Sequence, residues 1–212
     1  MVDSQSLFND IDKHILEDER PSEYLNSLLH ENKLREYPFN MLFDLTKAEQ
    51  NKKYHPEGSV WNHTMMVLDE AANRKDKSES PRVFMWAALL HDIGKPSTTR
   101  VRKGKITSYN HEKVGKDMAV EFLKEFMDDE AFIKKVAALV RWHMEPLFLA
   151  KNSPSANTEQ MLREVSLDEL ALLSICDRFG RGNMSDNKRR DEEKGIEMFV
   201  EKCRKIQKSM KK

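Results

Sequence analysis

Short amphipathic stretches alternate with polar breaks along this chain, and almost every stretch repeats at helical spacing. Leu7, Phe8, Ile11 and Ile15 fall three and four apart between Ser4 and Glu19, and Tyr24, Leu25, Leu28 and Leu29 repeat the pattern after Pro21-Ser22. These predict two covering helices. Phe39, Leu42, Phe43 and Leu45 form a third apolar group, followed by the polar stretch Lys47 to Tyr54. His55-Pro-Glu-Gly-Ser59 then reads as a turn with Ser59 as N-cap. The helix it opens carries Val60, His63, Val67 and Ala71 on one stripe, so His63 points inward. Asn73 to Ser80 reads as a loop. Eight consecutive apolar residues, Val83 to Leu90, are too few to cross a bilayer and predict a buried central helix, started by Ser80-Pro81. Gly94 is expected in the left-handed conformation that stops a helix, with Pro96 preventing its resumption.

Beyond Pro96, a Lys103-Gly104 turn between β-prone segments predicts one short hairpin near residues 98–109. Asn110 reads as the cap of a helix with His111, Val114, Met118 and Phe122 on one face; Phe132, Val136, Leu139, Val140 and His143 share another. Pro146 and the polar run Asn152 to Asn157 are expected to break the chain. Ser166 then opens a helix striped by Leu170, Leu173, Ser174 and Asp177 and ended by Gly180 and Gly182. Ile196, Phe199, Cys203, Ile206 and Met210 predict a last, narrow-striped amphipathic helix with a basic tail, Lys202 to Lys212. The fold class is therefore all-α, apart from the hairpin.

Acidic and basic residues balance at 36 each over 212 residues, so no global field draws the chain to nucleic acid or membrane. Any anion recognition must come from local clusters. Seven Gly and seven Pro are too few for long linkers, which indicates one domain with trimmings. Cys176 and Cys203 form no C-x-x-C pair and the N-terminus lacks a secretion signal, so a reduced, cytoplasmic protein is expected. No membrane or obligate protein partner is indicated.

The unusual feature is polar. His63, His91 with Asp92, His111, His143 and Asp177 sit on predicted inner faces or helix ends, in a chain with seven histidines. Imidazoles and carboxylates removed from water need compensation, and a shared cation supplies it. Nitrogen and carboxylate donors without thiolate point to one or two divalent ions such as Mn, Fe, Co, Ni or Mg, with Zn also open. Asp92, at a fraying helix end, can flank one ion or bridge two. His14 and His30 read as solvent-facing, and His55 as a residue that orients its loop.

The order His63, His91-Asp92, Asp177 resembles the HD superfamily of metal-dependent phosphohydrolases, with His111 and His143 matching the extra pair of its two-metal members. His55-Pro-Glu-Gly-Ser-Val-Trp-Asn-His63, His91-Asp-Ile-Gly-Lys-Pro96, His111-Glu112 and Asp177-Arg-Phe-Gly-Arg181 are similar to the HD region of bacterial tRNA nucleotidyltransferases, the CCA-adding enzymes. The similarity implies an HD helical bundle over residues 38–182, with covering helices at 1–37 and a C-terminal amphipathic basic helix at 183–212. It also implies hydrolysis of phosphoesters on nucleotides or RNA ends, including 2′,3′-cyclic phosphates. Asp92 and Lys95 are then the expected catalytic residues, with Lys95, just past Gly94, placed to neutralise charge developing on the phosphate and to bind it with Arg178 and Arg181. No nucleotide-adding motif precedes the region, so CCA addition is not expected. The alternatives are a di-iron oxygenase of a small polyol or phosphonate, which the full ligand set also fits, and a non-catalytic module that touches RNA through its basic tail.

Overall fold

The computed structural model describes residues 3–51, 55–182 and 184–210. Helices dominate: α1 (Ser4–Glu17), α2 (Pro21–His30), α3 (Asn40–Phe43), α4 (Val60–Ala72), α5 (Pro81–Leu90) and α6 (Lys95–Thr98) lead into a hairpin. Its strands are β1 (Thr99–Arg102) and β2 (Lys105–Ser108). Then follow α7 (His111–Lys124), α8 (Glu130–Trp142), α9 (Glu145–Ala150), α10 (Thr158–Glu164), α11 (Leu167–Phe179) and α12 (Asp186–Met210). Part of the polar stretch ahead of His55 lies outside the described residues.

The central helix is where the apolar run predicts it. Every residue from Val83 to Leu90 is buried, because α1, α4, α8 and α11 surround α5. A helix apolar all round is stable only in such a sheath. The stripe of α4 is also as expected, with Val60, His63, Val67 and Ala71 fully buried and Ser59 Oγ capping Asn62 N at 3.2 Å. In the hairpin, Lys103 and Gly104 both take positive φ, the turn whose twist suits two antiparallel strands.

Several local readings need correction. Gly94 is not left-handed: its φ is −80°, and the chain resumes as α6 with Pro96 in the first turn. Glycine is required there for a long-range reason. A Cβ would fall against His111 O and 2.6 Å from Gly115 N, so α7 could not approach. Gly180, also right-handed, is crowded likewise by Val67, 2.7 Å from its backbone N. Pro146 starts α9 rather than breaking the chain, and α10 follows the polar run. The buried face of α7 runs through Gly115 and Ala119, with Val114 and Met118 at its edge, because α8 packs closely over the small residues. Asn110, Ser80 and Ser166 occupy N-cap positions but make no side-chain capping bond. The expected loop before Ser80 holds a 3-10 turn, Lys75–Lys77.

Candidate metal centre

The polar residues meet where the ends of α5, α7 and α8 converge on the inner faces of α4 and α11. Asp92 is at the middle, 2% exposed. Its two oxygens face different histidine pairs. Oδ2 lies 3.2 Å from His91 Nε2 and 3.8 Å from His63 Nε2; Oδ1 lies 3.4 Å from His111 Nε2 and 3.7 Å from His143 Nε2. Asp177, carried by α11, reaches His63 Nε2 at 3.0 Å. Side chains spread from residue 63 to residue 177 are thereby gathered around one carboxylate. Around Asp92 two groups, His63–His91–Asp92 and Asp92–His111–His143, each have donor atoms within 4.8 Å of one another, and a third, His55–Glu57–His63, lies on the Nδ1 side of His63.

Each ring is locked by its far nitrogen. His91 Nδ1 lies 2.9 Å from Ala88 O, His143 Nδ1 2.7 Å from Val140 O, and His111 Nδ1 2.6 Å from Ser108 O. A nitrogen that close to a carbonyl must carry the hydrogen, which leaves Nε2 of a neutral ring with its lone pair facing inward. Ala88 and Val140 lie in the last turns of α5 and α8, where carbonyls lack a helical partner. One bond therefore closes a helix end and aims a ring nitrogen into the centre. His63 Nδ1 is held by Gly180 O at 3.1 Å and Glu57 Oε1 at 3.1 Å.

Electrostatics divide the rings. Burial works against charge on His63, but its bonds to Asp177 and Glu57 win and raise its pKa to about 9. Burial, aided by the neighbouring His111, drives His143 down to about 3, and burial also lowers His111. Asp92 and Asp177 stay ionised although burial opposes it: Lys95 and His91 hold Asp92 far down, as His63 and Arg181 do Asp177. The result is a pair of ionised carboxylates, balanced by His63, Lys95 and Arg181, with lone pairs of His91, His111 and His143 turned inward. His91 Nε2 is buried without a hydrogen-bond partner among the described residues. Donors of nitrogen and oxygen, with no thiolate in either group, fit one or two divalent cations.

The centre opens into a cleft of about 740 Å³. Its walls include Ile106 to Tyr109 of the hairpin side, Leu147 and Phe148 of α9, and His55. Lys95, Arg178 and Arg181 line it too. Lys95 Nζ lies 2.7 Å from Asp92 Oδ2 and 2.7 Å from Gln50 Oε1. Arg178 is tied to Glu192 of α12, whereas Arg181 Nε is buried with no hydrogen-bond partner among the described residues. His14 and His30 lie far from this chemistry in role: His14 pairs with Asp18 at 2.8 Å, and His30 is exposed.

Glu57 and Gln50 escape the helical pattern because both lie in irregular chain. Glu57 Oε1 lies 2.8 Å from His55 Nδ1, and Glu57 Oε2 accepts from Gly182 N at 3.2 Å, so it joins the turn at 55–58 to the end of α11. Despite burial, its bonds to His55 and His63 hold its carboxyl well below the usual range. The only local signal was a carboxylate beside a turn glycine, six residues ahead of His63.

Comparison with known proteins agrees with this geometry. The family model for the HD domain matches residues 60–182. The A-adding tRNA nucleotidyltransferase of Deinococcus radiodurans is 29% identical over 128 residues, which is 59% of this chain and 29% of that protein. The Multifunctional CCA protein of Halorhodospira halophila is 35% identical over 95 residues, covering 45% of this chain and 21% of that protein. That of Actinobacillus pleuropneumoniae is 37% identical over 62 residues, 29% of this chain and 14% of that protein. The chain thus spans under a third of the length of these relatives. With the family match covering over half of the chain, the protein belongs to the HD domain family, a superfamily of metal-dependent phosphohydrolases.

Proposed function

We propose that the protein hydrolyses phosphoesters on nucleotides or RNA ends, 2′,3′-cyclic phosphates included. The observation that carries this reading is the pair of Asp92 oxygens, each turned to two imidazoles whose outer nitrogens are already bonded. His63, His91, Asp92 and Asp177 would hold one divalent ion, and Asp92, His111 and His143 a second. When bound, such ions supply Lewis acidity to a water and to a phosphoryl oxygen.

The chain's own groups do the rest. Asp92 offers an ionised oxygen, and His91, His111 and His143 offer lone-pair nitrogens, to an entering cation. Lys95, held by Gln50, offers its ammonium to a phosphate oxygen as negative charge builds there. Arg181 has an unused buried Nε at the same cleft and is the better phosphate clamp; Arg178 stands behind it, braced by Glu192. Buried free thiols at Cys176 and Cys203 fit a reducing compartment, and we assign the cytoplasm. Among the described residues no helix is long and apolar enough to cross a membrane.

The test is a screen of metal-reconstituted protein against nucleoside monophosphates, 2′,3′-cyclic nucleotides and a generic phosphodiester, with Asp92→Ala beside it. Metal-stimulated release of phosphate or of a monoester that disappears in the variant is the expected result; turnover surviving in Asp92→Ala would remove this site from the reaction. The all-nitrogen-and-oxygen double group also supports a second reading, a di-iron oxygenase. Oxygen uptake with a di-iron spectrum and no phosphate release would select it.

A further inference from the structure

The hairpin carries a charge pattern for which the metal centre has no use. Its register pairs Thr99 with Ser108, Arg100 with Thr107, Val101 with Ile106, and Arg102 with Lys105. Side chains alternate along a strand, so Arg100, Arg102, Lys105 and Thr107 share one face. Tyr109, two residues past Thr107, continues it. The Arg102 guanidinium lies 5.2 Å from the centre of the Tyr109 ring, which puts both on that side. The three cations are exposed, and Tyr109 is 63% exposed.

The charge is unbalanced locally although the whole chain is neutral. No Asp or Glu occurs between Asp92 and Glu112. Among the described residues, no carboxylate pairs with Arg100, Arg102, Lys103 or Lys105. Moreover, Arg102 and Lys105 are direct register partners beside the turn. Like charges in that relation disfavour a hairpin, and two strands alone are marginal to begin with. A polyanion laid along the face removes the repulsion. Thr107 and Tyr109 of this face also line the cleft, so the face borders the opening of the metal centre.

We propose that this face, Arg100, Arg102, Lys105 and Tyr109, holds the backbone of a single-stranded polynucleotide whose end enters the cleft, with Tyr109 stacked on a base. The inference rests on the phosphohydrolase reading and narrows its substrate from nucleotides or RNA ends to the ends of single-stranded polynucleotides. A row of cations beside an exposed ring is the chemistry that single strands use. An acidic peptide would use the cations and leave the ring idle.

The test is fluorescence anisotropy of a labelled oligouridylate with the full chain, reconstituted with Mn²⁺, across a salt series. The wild type is expected to bind with strong salt dependence. Replacing Arg100, Arg102 and Lys105 together by Gln is expected to weaken binding at least about tenfold and to flatten the slope of log K against log salt by about 2, from roughly 0.7 per phosphate. Tyr109→Ala is expected to cost about tenfold at unchanged slope. A matched variant with Gln at Lys13, Lys134 and Lys135, which are exposed on α1 and α8, is expected to bind as the wild type does. Circular dichroism melts of each variant check folding. Absent wild-type binding, equal losses in both triple variants, or equal binding of poly-glutamate with Tyr109→Ala neutral would each overturn the inference. Binding is read without turnover, so the two readings fail separately. Hairpin-dependent binding with no hydrolysis would sink the hydrolase alone, and mononucleotide hydrolysis with hairpin-independent binding would sink this inference alone.

Discussion

His111 Nε2 and His143 Nε2 lie 3.2 Å apart, and each ring has already given its Nδ1 hydrogen to a carbonyl. Two lone pairs therefore face one another in a buried space, an arrangement stable only with a proton or a cation between them. A cation shared with Asp92 Oδ1 is expected to occupy it. Elemental analysis of His143→Ala should find less metal per chain than the wild type, while the His63–His91 group keeps its ion. An unchanged metal ratio would refute a second subsite.

Glu57 sits between His55 and His63 without facing the proposed ions. Glu57→Gln keeps the shape and removes the charge that steadies His63 through Nδ1. Metal affinity, followed by calorimetric titration, is expected to fall about 10- to 100-fold, the usual cost of losing such a partner. A wild-type isotherm would show that His63 is oriented by Gly180 alone.

The metal-free protein is expected to lose stability as pH rises from 6.5 to about 9. His63 has its folded-state pKa raised from 6.5 to about 9, so its contribution is complete below 6.5 and gone once pH passes 9. His111 and His143 are shifted the other way and act below this window. Metal affinity should climb over the same range, because a cation must displace the His63 proton. Urea midpoints and metal titrations in matched buffers check the opposed trends, and Asp177→Asn should flatten both.

Gly94→Ala is expected to destabilise the fold by about 1–3 kcal/mol, the range for forcing a methyl into a packed site. Its Cβ would press on the backbone of α7 at His111 and Gly115. Urea denaturation reads the loss, and weaker metal binding should accompany it because His111 moves with that backbone. Gly104→Ala, whose Cβ meets nothing within 4 Å, should leave metal binding intact.

Helical period made much of this protein legible before any coordinates. His63 and Asp177 betray themselves as polar residues on otherwise apolar stripes, and the central helix as an unbroken apolar run. What escaped is set across long distances. Gly94 is constrained by α7 pressing from seventeen or more residues away, not by the local turn, so no local pattern marks it. The face of α7 was rotated because Gly115 and Ala119 bury by closeness to α8 rather than by hydrophobic bulk. Glu57 has no periodic neighbour at all; its meaning comes from Gly182, far along the chain.

Because the ring and carboxylate donors are drawn from the beginnings and ends of separate helices, no single helix contains the whole set. Fraying of the last turn of α8 alone would carry His143 and its Val140 anchor out of register together. Loss of a bound ion would then be an early report of loosening anywhere in the bundle, and a chelator should expose that helix end to proteases before the rest.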